Sequence, residues 1–298
     1  MLTFQDIYEE AQEQVQDETA ASLVLIKRAI NQGAKKFGAI LSREWRVSEA
    51  TFSFVADQQY YQLPEDAIRL RTVTATIGTI TYPVEEIHDT DTWHELNMQV
   101  TTSTTPQYFF VKGSDEIGLW PVPSDADANA GTITYERRMR DMAEADYTTG
   151  TVTISADSAA VTGAGTTFTA NMVGRYLNVT DGSADGMWYK ISGFTAADAI
   201  TLENNYGGTA AAGAAFKIAE IPDIPEEFHE ALVDYACYRY YRRRRDTNLA
   251  RDMKAAFDES LAECIAAYSS KTGTQYFRPI RLRGGYIHNN RNYSVTGS

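Results

Sequence analysis

The chain has 298 residues, 43% hydrophobic and 22% charged, enough for one large or two small cores, and its 18 Tyr and 12 Phe exclude a disordered polymer. A formal net charge of −13 argues against a generic nucleic-acid binder, which needs a basic surface to displace counterions, but not against a protein that stands near DNA. The only two cysteines, Cys237 and Cys264, read as buried reduced thiols, and no segment approaches the roughly 20 apolar residues of a membrane span. With an acidic start from Met1 to Glu10 and no apolar signal core, the sequence reads as a protein made in a cytoplasm without a membrane anchor.

Residues 3 to 46 carry helical patterning. Thr3 is a candidate cap for a short segment with Phe4, Ile7 and Tyr8, and Thr19 for a second with Leu23, Ile26, Ile30, Phe37 and Leu41 near helical period. Gly33 and Gly38 either weaken that helix by about 1 kcal/mol each or admit a close neighbour. Residues 51 to 140 read mainly as strands. Thr51–Val55 and Tyr60–Leu63 around Asp57 and Gln58 suit one hairpin, and Leu70–Ile77 and Thr79–Val84 around Gly78 suit another. Glu85 to Met98 suits a short helix with Ile87, Trp93 and Leu96, and Tyr108–Val111, Ile117–Trp120 and Thr132–Met139 complete an antiparallel set.

Residues 148 to 219 differ in kind, being rich in Thr, Ala and Gly and poor in charge. About six short β-type runs between glycines predict a small β-sandwich or barrel inserted into the surrounding material. Residues 224 to 268 return to helix. Pro225, Glu226 and Glu227 mark a start, Phe228, Leu232, Tyr235 and Ala236 share a face, and Leu249, Met253, Phe257, Leu261, Ile265 and Tyr268 form a stripe beyond a break at Asp246. Residues 269 to 298 contain no acid and read as an extended basic tail available to an acidic partner. The fold class is therefore α+β: a core of N-terminal helices and a C-terminal helical hairpin, with an antiparallel β extension, over 1–147 and 220–268; an inserted β-domain over 148–219; and a tail over 269–298.

Catalytic constellations are sparse. His88-Asp-Thr-Asp-Thr-Trp-His-Glu gathers possible metal ligands but lacks the order of a helical zinc site, and reads as a helix start capped by Asp89 or Asp91. Asp125 to Glu136 faintly follows a calcium loop, yet Ala130 stands where the sharp turn needs glycine. No nucleophile elbow, phosphate loop or dinucleotide fingerprint is present, so the reading is of a non-enzyme without metal or cofactor. The unusual feature is Tyr238-Arg-Tyr-Tyr-Arg-Arg-Arg-Arg. Arg242, Arg243, Arg244 and Arg245 form either a solvated helix end that complements the dipole, a subunit interface relieved by acids of a neighbouring copy, or a DNA contact.

Three stretches resemble the phage head-to-tail adaptor, or connector, proteins. They are Ile26-Lys-Arg-Ala-Ile-Asn-Gln-Gly leading through Phe52-Ser-Phe-Val-Ala-Asp-Gln-Gln-Tyr-Tyr-Gln-Leu-Pro to Ile68-Arg-Leu; Leu119-Trp-Pro-Val-Pro with the strand Ile133 to Arg138; and Ile224-Pro-Glu-Glu-Phe-His-Glu-Ala-Leu-Val-Asp-Tyr-Ala. Within the insertion, Gly165-Thr-Thr-Phe and Met172-Val-Gly-Arg-Tyr-Leu look like Ig-like modules of phage structural proteins. The resemblance implies a homo-oligomeric ring of about twelve copies at the virion neck, assembled in a host bacterial cytoplasm. It implies a portal protein above, a downstream tail or neck protein below, and DNA passing through the lumen without sequence-specific binding; with −13 per copy, that lumen repels phosphates if acids line the bore. It maps portal docking onto tail residues Tyr276, Phe277, Arg278, Arg281 and Arg283. Two alternatives stand beside it: a virion decoration or adhesion protein using the β-domain, and a cell-wall hydrolase using the acid pair Glu226 and Glu230.

Overall fold

The computed structural model describes residues 1–40, 46–99, 101–181 and 184–268. The described residues contain five α-helices: α1 (Phe4–Val15), α2 (Ala20–Ile40), α3 (Thr90–Asn97), α4 (Glu230–Arg244) and α5 (Thr247–Tyr268). The chain divides into two compact units, residues 1–41 with 141–298, and residues 42–140. The class is α+β, with helices and two curled, antiparallel-rich sheets.

In the first unit α4 is the central helix, packed against α1, α2 and α5. Local chemistry sets the helix starts. Thr3 caps α1 through a reciprocal box with Asp6, the Thr19 hydroxyl accepts from the Ser22 amide, and Asp246 accepts from Leu249 N at 3.2 Å at the start of α5. Pro225 precedes a short 3-10 turn, Glu226–Phe228, that feeds α4. Gly33 lets α2 approach α4 closely: a Cβ there would lie 3.1 Å from Leu232 and 3.2 Å from Tyr235. The helices are locked by a ring cluster. Phe37 meets Phe257 edge-on with centroids 5.4 Å apart and Phe228 at 5.9 Å, and Tyr235 lies 4.8 Å from Phe257.

The predicted stripe on α5 is only partly a buried face. Phe257 is buried with Ala250 and Cys264, whereas Leu249 and Ile265 are exposed. One neighbouring layer covers one side of this helix, so apolar residues that fall off that side stay in water.

The same unit holds seven strands: β10 (Thr151–Ile154), β11 (Ala160–Ala164), β12 (Tyr176–Val179), β13 (Tyr189–Ala196), β14 (Ala199–Leu202), β15 (Ala211–Ala214) and β16 (Phe216–Ala219). They form one antiparallel sheet in the order β15-β10-β11-β14-β13-β12-β16. Its two end strands are joined by Ala215 alone, so the sheet must curl until its ends meet. Of the two expected forms it is closer to the barrel: a curled sheet whose end strands are not hydrogen-bonded to each other. Alternate residues, among them Val152, Ile154, Leu177, Val179, Ile200 and Leu202, fill the interior. The sequence reading found six of these runs; Ala211–Ala214 lacks the β-branched and aromatic residues that mark a strand.

A buried polar clamp fixes the barrel to the helices. The Glu220 carboxylate accepts from the amides of Ala143 at 2.6 Å and Glu144 at 3.0 Å, and its carbonyl accepts from Phe4 N at 2.8 Å. The buried Arg175 lies 3.9 Å from the same carboxylate and 3.8 Å from Glu144. Thr3 donates to Asp146, which also pairs with Lys217 at 2.9 Å and receives no direct bond at its other carboxylate oxygen.

The second unit contains α3 and nine strands: β1 (Val47–Phe54), β2 (Tyr60–Gln62), β3 (Ala67–Ile77), β4 (Ile80–Glu86), β5 (Thr102–Ser103), β6 (Tyr108–Lys112), β7 (Glu116–Trp120), β8 (Val122–Pro123) and β9 (Asp127–Arg137). Seven of them form a sheet in the order β1-β9-β3-β4-β6-β7-β2. The hairpin at Gly78 is present as expected, with φ +64° at the glycine. The hairpin expected around Asp57 and Gln58 is not: β1 pairs with β9 and β2 with β7. Asp57 does turn the chain, with φ +62°, but each strand finds a longer partner far away in sequence. The set is also not wholly antiparallel, because β4 pairs with β6, and β5 with β8, in parallel. Phe52 and Tyr61, from the first and last strands of the order, bring their rings within 5.0 Å, which closes the curl over Phe54, Val73, Ile117, Leu119 and Ile133.

Two substitutions test this packing. Phe257→Ala is expected to destabilise the helical unit by about 3–5 kcal/mol in urea unfolding, and Ile265→Ala by less than about 0.5 kcal/mol. Glu220→Ala, which strips the Ala143 and Glu144 amides of their acceptor and leaves Glu144, among the described residues, as the one acid beside buried Arg175, is expected to cost about 1–3 kcal/mol in the same assay.

Candidate functional site

The corner where α4 turns into α5 concentrates the arginine run. Arg245 takes the left-handed cap position, φ +63°, and its amide donates to Arg242 O, so the chain reverses with the last four cations facing water. Arg242, Arg245, Arg251 and Lys254, with one acid, Asp246, line an open cleft of about 320 Å³ that also includes Tyr238, Thr247 and Ala250. Arg242 donates to the Tyr238 hydroxyl at 3.2 Å, Arg251 touches Asp252 at 3.4 Å, and Lys254 pairs with Asp258 one turn along α5. Arg243 is exposed and makes no ion pair with the described residues.

Arg244 is different from its neighbours. It pairs with Asp17 at 2.6 Å and lies over the Tyr240 ring at 5.1 Å. Asp17, in the loop between α1 and α2, also accepts from the Tyr240 hydroxyl at 2.6 Å. The bond from Tyr240, then those from Thr19 and the Arg244 guanidinium, hold its carboxyl well below the usual range. One member of the run is therefore satisfied inside its own chain, which the sequence did not reveal because Asp17 lies 227 residues away.

The other end of α4 is acidic. Glu230 and the half-buried Asp234 lie on α4, and Glu9, Glu10 and Glu13 are exposed on α1 beside it. Burial, then the like charges of Glu230 and Glu10, push the Asp234 carboxyl up. No ion pair among the described residues joins Glu10, Glu230 or Asp234 to a cation. His229, buried at the start of α4, places one ring nitrogen 3.1 Å from Leu2 O and the other 3.2 Å from Ile224 O. Burial lowers its pKa, and it serves as a tether for the chain start. The Cys237 thiol donates to Gln14 at 2.9 Å and is pushed up to about 12 by burial, so it is a packing residue and not a nucleophile.

The remaining sequence candidates separate. Asp89 caps α3, accepting from Thr92 N at 3.0 Å, and His88 lies 3.3 Å from Glu86; among the described residues no three such side chains converge as a metal site. Asp125 accepts from Ser124, and Asp127 already begins β9. Glu226 lies in the 3-10 turn and Glu230 on α4. A groove of about 870 Å³ in the second unit runs along Ala67–Arg71 of β3 and Val111 to Ser114, and holds the Arg71–Glu136 pair at 3.3 Å. Tail residues Tyr276, Phe277, Arg278, Arg281 and Arg283 lie outside the described residues. No described helix is long and apolar enough to cross a membrane.

The sequence matches a family of phage adaptors, structural proteins that interact with other phage structural proteins, over residues 2–215 and 200–283. With nearly the whole chain matched, the protein belongs to the SU10 adaptor protein family. No curated protein matches it.

The Asp17 geometry predicts an acid-sensitive contribution. Because the folded carboxyl is held low, its stabilisation is complete above the unfolded value near pH ~4 and is lost as pH falls towards the folded value. Asp17→Asn is expected to be less stable than the parent at pH 7, with the gap narrowing at pH 3, in urea unfolding at the two values.

Proposed function

We propose that this adaptor assembles as a ring of about twelve copies beneath the portal at the virion neck, joins head to tail and leaves a lumen through which DNA passes. The observation that carries the reading is the separation of charge on the helical hairpin of a family adaptor: cations at the α4–α5 corner, acids at the opposite end of α4. Arg242, Arg243 and Arg245 are free to meet acids of a neighbouring copy, while Arg244 is held by Asp17. A net charge of −13 per copy gives the assembled ring an acidic potential that keeps phosphates from adhering.

In this reading the tail docks on the portal through Tyr276, Phe277, Arg278, Arg281 and Arg283, aromatic and arginine types that make strong anchors. Its ordering on binding suits attachment after the portal is in place. The inserted module, residues 148–219, braces the downstream neck protein. The Glu220 and Arg175 clamp supports a brace over a freely swinging adhesive domain. No cofactor and no catalytic residue enters this function.

The test is negative-stain imaging and sedimentation of the chain mixed with its portal. Rings seated on portal particles are expected. Tyr276→Ala/Phe277→Ala/Arg278→Ala is expected to weaken portal binding at least tenfold while leaving the fold unchanged by circular dichroism. Free monomer with no portal binding would contradict the proposal.

A further inference from the structure

We infer that the cationic cleft at the α4–α5 corner receives the acidic α1–α4 face of a second copy, so that one helix, α4, supplies both halves of the contact. This names the two surfaces of the ring contact and rests on the ring reading above.

Each patch carries an excess of one charge among the described residues: Asp246 also lines the cleft, Arg251 touches Asp252 and Lys254 pairs with Asp258, but Arg242 and Arg245 make no ion pair there, and none joins Glu10, Glu230 or Asp234 to a cation. Arg245 has no acid partner among the described residues, and Arg242 turns to a tyrosine hydroxyl. At the other end Glu10 and Glu230 flank Asp234, which is half-buried and meets only like charge among its neighbours. Both arrangements are unfavourable in a lone subunit and are relieved together when opposite patches meet. About 15 Å of helix separates the patches. They are distinct surfaces, so a heterologous contact can repeat from copy to copy.

A second copy fits the cleft better than DNA. The cleft combines the apolar surface of Tyr238 and Ala250 with four cations against one acid, Asp246, which suits carboxylates carried on a protein surface. The net charge of −13 opposes an approaching polyphosphate, whereas a local patch contact is screened from the rest of the molecule beyond about 10 Å at 0.1 M salt.

The experiment uses two full-length double variants at exposed positions. Arg242→Glu/Arg251→Glu makes both patches acidic, and Glu10→Arg/Glu230→Arg makes both basic. Sedimentation velocity, alone and with portal, reads assembly, and circular dichroism checks folding. Each variant alone is expected to self-associate at least tenfold more weakly than the parent, and an equimolar mixture of the two is expected to restore assembly by alternation. Parent-like assembly of either folded variant, or a mixture that does not recover, overturns the inference while leaving the ring intact. Loss of assembly only on deleting residues 269–298 would assign the acidic face to the basic tail instead, and a corner variant that assembles normally but loses DNA retention would assign the cleft to DNA. Failure of the parent chain to assemble, alone or on portal, would remove the ring reading itself.

Discussion

The burial of α4 against α1, α2 and α5 is the constraint on which the rest of the helical unit depends. Seven residues of this helix are buried, from Ala231 to Tyr240, so it has little free face to offer solvent. Its acids, Glu230 and Asp234, lie in the first half of the helix and its arginines, from Arg239 to Arg244, in the second. The ring cluster of Phe37, Phe228, Tyr235 and Phe257 holds the helix in place, and its dispersion and area terms far outweigh any single exposed ion pair. The charges can then be spent on specificity, because the packing does not need them.

The Glu220 clamp carries the same logic to the barrel. A curled sheet whose end strands are joined by one residue is self-contained, and nothing in its own core orients it. Orientation comes from a few buried polar groups: a carboxylate accepting two amides, a buried guanidinium, and the Thr3 hydroxyl that caps α1 and also reaches Asp146. Buried polar contacts of this kind are directional, and they add geometry more than net stability. Thr3 thus joins local capping to long-range assembly of the unit.

Features set by neighbours in sequence were legible. Thr3, Thr19 and Asp89 cap helices because a short oxygen before an amphipathic run has one good use, and Gly78 turns a hairpin because its φ is positive. Features set by distant partners were not. The apparent hairpin at Asp57 gave way to pairing with β9 and β7, and Leu249 and Ile265 sit in water because a helix stripe reports apolarity and not which neighbour covers it. The arginine run was visible as an oddity, but its division into one satisfied cation and a cationic cleft depends on Asp17 and the α5 residues Arg251 and Lys254. Glu220 gave no signal, since an acid beside a proline-bearing linker looks like any solvated carboxylate.

The central claim is that copies of this adaptor meet through opposite ends of α4. A density map of the assembled neck tests it most directly. The account predicts Arg242 and Arg251 of one copy within about 4 Å of carboxylates on α1 or α4 of the next. A map in which the corner faces solvent, or in which neighbouring copies touch only through their sheets, would contradict it.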